Sequence, residues 1–538
     1  MLKKYLGVLP YLVLSVLIAA VYNILDGEVA RRMLKLLDYA LVSDMDTIKD
    51  NTPLLIVMAL ALIPLGIVVA IVNNYYKRKA MVALKKHYLK KVFGKNIAEF
   101  QKENNAKYIS SITNDLNTLE LNLITGVYTI GNGITKFFVG IWLLSTVDPR
   151  MILLAIGIII LNLIQNIITS RPINKAFKER SDMFDGYTSY IKEVLSAFHI
   201  VKNYNLQKKV QDDYNEKSEE IQQKGFLIER MLSFIFSFQN VIFSSSFYGI
   251  LCLVGYYVLI GNITAGGLIL VVDSIQRMMW PIMEISEAMP KIMSTGDLMK
   301  KIDKTLENAD TYPETVELSE FKQEISFNNV QFGYEDSEEL TLRDVNLKLR
   351  KGGKYLIVGP SGGGKSTLLK LFRKYFNPTD GTITIDGANL KDIKREDYYK
   401  LIANIEQQVF IFEDTLKNNI TLYKDYSEEE ISKAIQAAGL TDFVANLPEG
   451  TNTMIYDNGR NVSGGEKSRI VIARAFLSKA SILFMDEAFA SLDMERAREI
   501  EKTILALKDI TVINVSHIIF QDTKEQYDRV ITVKRGIA

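Results

Sequence analysis

The chain has very little cysteine and histidine. Of its 538 residues, one is cysteine (Cys252) and three are histidine. A single cysteine excludes a disulfide framework, a cysteine-ligated zinc site and a C-x-x-C motif. The three histidines, which are far apart in the sequence, argue against a polyhistidine metal site. The formal net charge is only +1, so no excess of one sign indicates nucleic acid as a partner.

The apolar residues are concentrated in the first three hundred residues, where six stretches are long enough to cross a membrane. The predicted spans are Tyr5–Ile24, Pro53–Asn73, Gly126–Val147, Met151–Ile168, Met231–Ile260 and Thr264–Ile285. The alternative for the first span is a cleavable signal peptide. However, this stretch is long for the apolar region of a signal peptide and lacks a clean small-residue cleavage site. Residues 1–300 are therefore predicted to form an all-α transmembrane domain, rather than a buried soluble bundle.

Lysine and arginine predict the orientation of these spans. They are frequent after the second span, between Lys77 and Lys91, and after the fourth, between Arg171 and Arg180. Both termini are therefore predicted to be cytoplasmic. The polar segments 75–123 and 170–230 have helical periodicity and are expected to extend the membrane helices into the cytoplasm. The Lys-, Ile- and Asn-rich composition indicates a bacterial cell membrane.

The second part of the chain has a different pattern. Residues 301–322 are charged, lack an apolar span and are predicted to be a linker. From 323 to 538, short β-like runs alternate with helical ones, which is typical of an α/β domain.

A Gly-rich segment in this second domain matches G-x-x-x-x-G-K-[ST]. A predicted strand, Tyr355–Val358, precedes it, and a predicted helix, Thr367–Lys374, follows it. Glycines allow the backbone to curl so that successive N–H groups point at phosphate oxygens. The predicted ATP-binding residues of this P-loop are Gly359, Ser361, Gly362, Gly363, Gly364, Lys365, Ser366 and Thr367. Ser366 can also hold Mg²⁺.

Two further segments carry residues that such a site needs. The apolar run Ser481–Met485 ends in Asp486, which would hold Mg²⁺, and Glu487, which would polarise the attacking water. A buried strand with an acidic end is the alternative, but the P-loop upstream favours function. Ser463, Gly464 and Gly465 precede a predicted helix, Lys467–Leu477. They form either a second anion-binding turn or a plain helix cap.

Together these residues resemble the half-transporters of the ATP-binding-cassette (ABC) exporter type, in which a membrane domain precedes a nucleotide-binding domain. The resemblance covers essentially the whole chain. Residues 462–466 are similar to the family signature, usually Leu-Ser-Gly-Gly-Gln, from which Val462 and Glu466 depart. Asp457 stands where exporters usually carry glutamate.

The resemblance implies further roles in the second domain. Tyr334 would stack on adenine, Gln407 would be the Q-loop glutamine that reaches Mg²⁺, and His517 would be the switch histidine. Asp493 would belong to the D-loop, residues 490–493. The implied catalytic residues are Glu487, His517 and Gln407, and the implied Mg²⁺ ligands are Ser366, Gln407 and Asp486. Three of these residues also have a purely structural alternative. Tyr334 and His517 would then be core residues, and Gln407 would be a solvated glutamine.

Two segments of the first domain, Glu99–Asp115 and Ile191–Tyr204, resemble the intracellular loops of exporters. In that family, short coupling helices in these loops dock on the nucleotide-binding domains. Both segments are amphipathic, so docking is physically permitted. A solvated helix face is the alternative.

The resemblance implies ATP-driven export by alternating access, in a dimer whose two ATP sites each combine the P-loop of one chain with the signature of the other. An importer with the exporter fold and a soluble ABC ATPase are the alternatives, and the six predicted spans argue against the second. Intact P-loop and signature residues in one chain favour a homodimer. The substrate is open among peptide, lipid and hydrophobic drug.

The sixth predicted span contains two ionisable residues, Asp273 and Arg277, one helical turn apart. Ionisable groups at such depth are costly and usually face a pathway or each other. We expect them to line the central cavity, as an intrahelical pair, and to bind a polar part of the substrate. A pair that only supports packing is the alternative.

Overall fold

The computed structural model describes residues 1–308, 312–334, 339–490, 492–534, 536 and 537, apart from the side chains at 158, 161–163, 165–178, 180–182, 185, 236, 239 and 243. The chain divides into two compact units. One comprises Met1–Gly94 and Glu103–Glu307, and the other comprises Lys95–Lys102 and Asn308–Ala538. Residues 309–311 of the predicted linker lie outside the described residues.

The first unit is helical. In chain order the helices are α1 (Leu2–Leu6), α2 (Leu9–Leu41), α3 (Met45–Val92), α4 (Ile97–Gln101), α5 (Asn105–Ser110), α6 (Leu116–Leu119), α7 (Thr125–Val147), α8 (Arg150–Ser196), α9 (Phe198–Asn203), α10 (Gln207–Leu259) and α11 (Ala265–Thr305). Of these, α4 belongs to the second unit. Two π-helical turns, Ser111–Asp115 and Glu120–Ile124, join α5, α6 and α7 into one long element.

Within the described part of the chain, four helices are long and apolar enough to cross a membrane: Leu9–Leu41, Met45–Val92, Asn105–Val147 and Gln207–Leu259. They contain all of the predicted second and third spans and most of the first and fifth. The predicted fourth span, Met151–Ile168, lies in α8 and falls partly outside the described side chains. The predicted sixth span lies in α11.

Two predicted boundaries differ from the structure. The first span was predicted from Tyr5, but α2 begins at Leu9, because Pro10 sits in its first turn, where a missing N–H costs no helical hydrogen bond. In addition, α11 continues to Thr305, into the predicted linker. The long extensions are confirmed as helical: α3 has 48 residues, or about 72 Å at the usual rise per residue.

Small residues and buried side chains pack α2, α7 and α11 together. A Cβ atom on Gly140 of α7 would lie 2.5 Å from the Cγ atom of Met278 on α11, so glycine permits the close approach of these helices. Further along the unit, Tyr76, Leu84 and Tyr88 of α3 are buried in a cluster that includes Leu116 and Leu119. This packing fixes the helices that carry the polar side chains described below.

The second unit alternates strands and helices. Its strands are β1 (Glu324–Phe332), β2 (Leu342–Arg350), β3 (Lys354–Val358), β4 (Asp380–Ile385), β5 (Ala388–Asn389), β6 (Ile402–Ile405), β7 (Asp414–Thr415), β8 (Met454–Ile455), β9 (Ile482–Asp486), β10 (Thr511–Val515) and β11 (Arg529–Thr532). Its later helices are α12 (Lys365–Phe372), α13 (Arg395–Leu401), α14 (Leu416–Thr421), α15 (Glu428–Ala437), α16 (Thr441–Ala445), α17 (Gly464–Leu477), α18 (Met494–Leu505) and α19 (Gln521–Lys524).

A parallel sheet with the order β11-β3-β10-β9-β6 forms the centre of this unit, and an antiparallel sheet has the order β2-β1-β4-β5. The parallel strands are largely buried, as expected for a sheet covered on both faces. Because parallel strands end at the same edge, the segments that follow β3, β6, β9 and β10 are brought together there. The P-loop residues and Gln407, Glu487 and His517 lie in these segments.

Candidate active site

The P-loop connects β3 to α12, as the sequence predicts. Gly359 has a φ of +155°, and a Cβ atom there would lie 2.1 Å from the carbonyl oxygen of Val533. Gly362 and Gly364 are also left-handed. The Lys365 ammonium donates hydrogen bonds to the carbonyl oxygens of Gly359 and Pro360, at 3.0 and 2.9 Å. The backbone therefore has a curled form that only glycine allows, and it leads directly into the N-terminus of α12.

Ser366 and Thr367 lie in the first turn of α12. The Thr367 hydroxyl is 3.1 Å from the hydroxyl of Tyr334. The Tyr334 ring also makes edge contacts with Phe332 and Phe376, with centroids 5.0 and 5.6 Å away. Tyr334 is thus fixed beside the P-loop helix, although its stacking on adenine remains a prediction.

The three predicted catalytic residues meet at the carboxyl edge of the parallel sheet. Gln407 Nε2 donates a hydrogen bond to Glu487 Oε2 at 2.8 Å, and His517 Nε2 lies 3.3 Å from Glu487 Oε1. The Glu487 backbone is left-handed, with φ +49°, and its N–H donates to the carbonyl oxygen of Val515. Such backbone is uncommon outside glycine and is concentrated at functional sites. Gln407 and His517 thus hold the Glu487 carboxylate from both sides. A base that orients a water molecule needs such a fixed position.

Asp486 is the last residue of β9 and lies opposite Val515 of β10. Burial raises the pKa of its carboxyl group, and the nearby Arg373 guanidinium opposes that rise. Oxygen ligands from a carboxylate, a hydroxyl and an amide are the kind that Mg²⁺ accepts, with phosphate oxygens and water completing its shell. The donor set of Asp486, Ser366 and Gln407 therefore fits the ion.

Ser463 is the N-cap of α17 and forms a capping box with Glu466. The Ser463 N–H donates to Glu466 Oε2 at 2.8 Å, and the Glu466 N–H donates to Ser463 Oγ at 3.4 Å. Apart from its chain neighbours and its own helix, no atom of the described residues lies within 4 Å of the place where a Cβ on Gly464 would be, so its backbone can be approached closely. Gly465 lies in the same first turn. The S-x-x-E spacing could have predicted this role of Glu466.

Asp493 is the N-cap of α18 and accepts a hydrogen bond from the Arg496 N–H at 2.9 Å. Ser491, in the predicted D-loop, lies outside the described residues. Asp457 is left-handed, with φ +45°. In the part of the chain that the structure describes, no hydrogen bond or ion pair joins Ser463 or Asp493 to the P-loop or to Glu487. The P-loop and the catalytic cluster follow neighbouring strands of the parallel sheet, whereas Ser463 and Asp493 each cap a helix.

A cavity of about 350 Å³ lies among α2, α7 and α11. Its lining includes Tyr22, Asn23, Asp26, Lys136, Asp273, Gln276, Arg277, Trp280 and Glu284. Arg277 Nε donates to Asp273 Oδ2 at 2.6 Å, which confirms the predicted intrahelical pair. Arg277 also pairs with Asp26 of α2. No sequence pattern indicates Asp26, because a partner 251 positions away cannot be recognised by helical spacing.

Comparison with known proteins identifies the family. The family model described as "ABC transporter transmembrane region" matches residues 11–282, and the one described as "ABC transporter" matches residues 342–490. The chain belongs to the ABC transporter family, with the membrane and ATPase domains of an exporter-type half-transporter fused in one polypeptide. It is a membrane protein whose ATPase domain hydrolyses ATP, and that hydrolysis is coupled to transport.

Several relatives are similar over most of the chain. The YgaD protein of Bacillus subtilis, named as a candidate multidrug export ATP-binding/permease protein, is 28% identical over 80% of this chain and 74% of its own length. The ATP-dependent lipid A-core flippase of Haemophilus influenzae is 28% identical over 91% of this chain and 85% of its own length. The fold is similar to the solved structure of a bacterial Atm1-family ABC exporter with ATP bound, with a TM-score of 0.78, 20% identity, and coverage of 99% and 94% of the two chains.

Proposed function

We propose that the protein exports an amphipathic substrate from the cytoplasm by alternating access, as a homodimer with two equivalent ATP sites. The observation that carries the proposal is the cluster of Gln407, His517 and Glu487 at the sheet edge beside Asp486, in a chain that also has a helical membrane unit. The printed names of the relatives, multidrug export and lipid A-core flippase, support outward transport of such molecules. They favour export over the importer alternative.

Each part of the ATP site has a proposed role. The P-loop backbone and Lys365 bind the phosphates, and Tyr334 stacks on the adenine. When bound at Ser366, Gln407 and Asp486, Mg²⁺ supplies neutralisation of phosphate charge. Glu487 accepts the proton of the attacking water, while Gln407 and His517 hold its carboxylate in place.

The homodimer is supported by what each chain retains. Ser463 and Gly464 form an open helix N-terminus that can receive the γ-phosphate of an ATP bound to the other chain. Asp493 would lie beside the same phosphate in the dimer. Because the chain keeps both the P-loop group and this second group, two identical chains can complete two sites related by a two-fold axis.

The membrane cavity supports a substrate with a polar part. The charged residues Asp26, Arg277 and Asp273 form a connected group in its wall, and Lys136 lies in the same wall without an ion pair in the described part of the chain. We propose that this group binds the polar end of the substrate. We also propose that α9 and the segment at α4 serve as coupling helices, with both termini cytoplasmic.

Sidedness of transport tests the export proposal. The purified chain is reconstituted in liposomes, and ATP is added outside, so that only molecules with external ATPase domains work. Ethidium is the amphipathic probe. Export predicts ATP-dependent accumulation of ethidium in the lumen, which Glu487→Gln abolishes. ATP-dependent loss of ethidium from preloaded vesicles would contradict export.

A further inference from the structure

Arg373 is an almost completely buried cation next to the ATP site. It directly follows α12, where its backbone N–H donates to the carbonyl oxygen of Leu369. Only 3% of the residue is exposed. Its Nε and Nη2 atoms have no hydrogen-bond partner among the described residues. Buried polar groups are normally hydrogen-bonded, so two unpartnered guanidinium nitrogens require an explanation.

Two carboxylates, Glu406 and Asp486, lie near this cation. Ile405 of β6 is aligned with Met485 of β9, so the following residues, Glu406 and Asp486, emerge side by side at the sheet edge. The Arg373 Nη1 atom is 3.6 Å from Glu406 Oε1. The positive charge of Arg373 also lowers the pKa of the Asp486 carboxyl group, against the rise caused by burial. The guanidinium is therefore held by the charges of its neighbours rather than by a full set of hydrogen bonds.

Glu406 connects this cation to the catalytic cluster. The Tyr375 hydroxyl, two residues after Arg373, donates to Glu406 Oε1 at 3.1 Å. The next residue along the chain is Gln407, which donates to the Glu487 carboxylate. The residues that directly follow α12 thus contact Glu406, and Glu487 contacts the neighbouring Gln407.

We propose that Arg373 is a positioning residue for ATP hydrolysis, which holds the Glu406–Gln407 segment in place by neutralising the repulsion between Glu406 and Asp486. The proposal rests on the ATPase activity of the chain. Without the cation, two adjacent carboxylates repel each other in a partly buried site, where charges interact more strongly than in water. Glu406 then moves away from the sheet edge, and Gln407 moves with it.

The test compares Arg373→Met with Arg373→Lys in the full chain, reconstituted in nanodiscs. Arg373→Met should lower kcat for ATP about tenfold or more, since small misplacements of positioning groups are costly. The KM for ATP should change much less, because Lys365 and the P-loop backbone are untouched. Arg373→Lys should retain most of kcat, because the contact depends on charge rather than on the guanidinium fork.

Arg395→Met is the matched control. Arg395 is another partly buried arginine of the same unit, with an unpartnered Nε, and its Nη2 is 3.1 Å from Glu314. Among the described residues, its ion pair and its backbone hydrogen bond are both with Glu314, outside the site. If Arg373 only supports the fold, both Met variants should lower the melting temperature and the yield alike and leave the kcat of the folded protein intact. That result would overturn the proposal.

Removing the second charge gives an independent test. Arg373→Met with Glu406→Gln should recover at least part of the lost kcat, because the unpaired carboxylate that drives the displacement is gone. A double variant no faster than Arg373→Met alone would contradict the repulsion argument. The wild-type activity and its loss in Glu487→Gln are measured in the same preparations, so a failure of the proposal is distinguished from absence of ATPase activity.

Discussion

At the scale of single residues, Glu487 is the proposed base that accepts a proton from the attacking water. Glu487→Gln keeps the shape of the side chain but removes the group that accepts a proton. We expect near-normal ATP affinity and hydrolysis slower by about a hundredfold or more, with the closed dimer trapped. Nucleotide binding and phosphate release measured on purified protein check this.

Glu499→Gln, an exposed substitution on α18, is the control for the Glu487 variant and should leave turnover unchanged. Turnover by Glu487→Gln close to that of the wild type would show that Glu487 is not the base, despite its contacts with Gln407 and His517.

Lys365 supports binding rather than chemistry. In this structure its ammonium donates to two carbonyl oxygens of its own loop, so its charge lies at the P-loop. Lys365→Ala should weaken ATP binding about tenfold or more, because hydrogen bonds to charged groups contribute about 1.5–3 kcal/mol. Equilibrium titration with a fluorescent ATP analogue measures the change. Lys348→Ala, on the surface of β2, is the control, and unchanged affinity in Lys365→Ala would contradict the P-loop assignment.

At the scale of elements, local patterns were predictable and long-range partners were not. The strand, glycine-rich loop and helix around Lys365 follow from one contiguous motif, and the structure has β3 and α12 there. The partners of Arg277 and Glu406 depend on which helix or strand end lies alongside. Asp26 and Arg373 were therefore missed, because sequence spacing gives no information about neighbours in another element.

The helix α11 offers a test of the membrane cavity. Asp273→Asn with Arg277→Gln removes the intrahelical charges and leaves Asp26 without its cation. If the group binds the substrate, the apparent affinity of ethidium in stimulated ATPase should fall about tenfold, by the same hydrogen-bond energies, while basal ATPase changes little. The dose dependence of stimulation in nanodiscs measures both.

The same helix provides the control pair. Glu287 and Lys291 are an exposed ion pair with the same four-residue spacing, and Glu287→Gln with Lys291→Gln should affect neither activity. Equal losses of basal and stimulated ATPase in the Asp273 and Arg277 variant would assign that pair to packing alone.

At the scale of the whole molecule, the described part of the chain has no hydrogen bond or ion pair between Ser463, in the predicted signature, and the P-loop or Glu487. The P-loop, Gln407, Glu487 and His517 follow neighbouring strands of the parallel sheet, and Ser463 caps α17 through its hydrogen bonds with Glu466. A second copy can supply the missing half to each site. The chain expressed alone should therefore purify as a dimer that hydrolyses ATP, and a chain that is silent until another half-transporter is present would contradict a homodimer.

Complementation between two inactive chains tests the composite ATP site most directly. The Glu487→Gln chain and the Ser463→Arg chain are co-expressed with different affinity tags. Mixed dimers are then isolated by purification through both tags. In a mixed dimer one site has both lesions, and the other combines the intact P-loop group of one chain with the intact Ser463 of its partner. Single-turnover ATP hydrolysis should return in mixed dimers and be absent from either variant alone. Mixed dimers that form but hydrolyse no ATP would contradict a site shared between two copies of this chain.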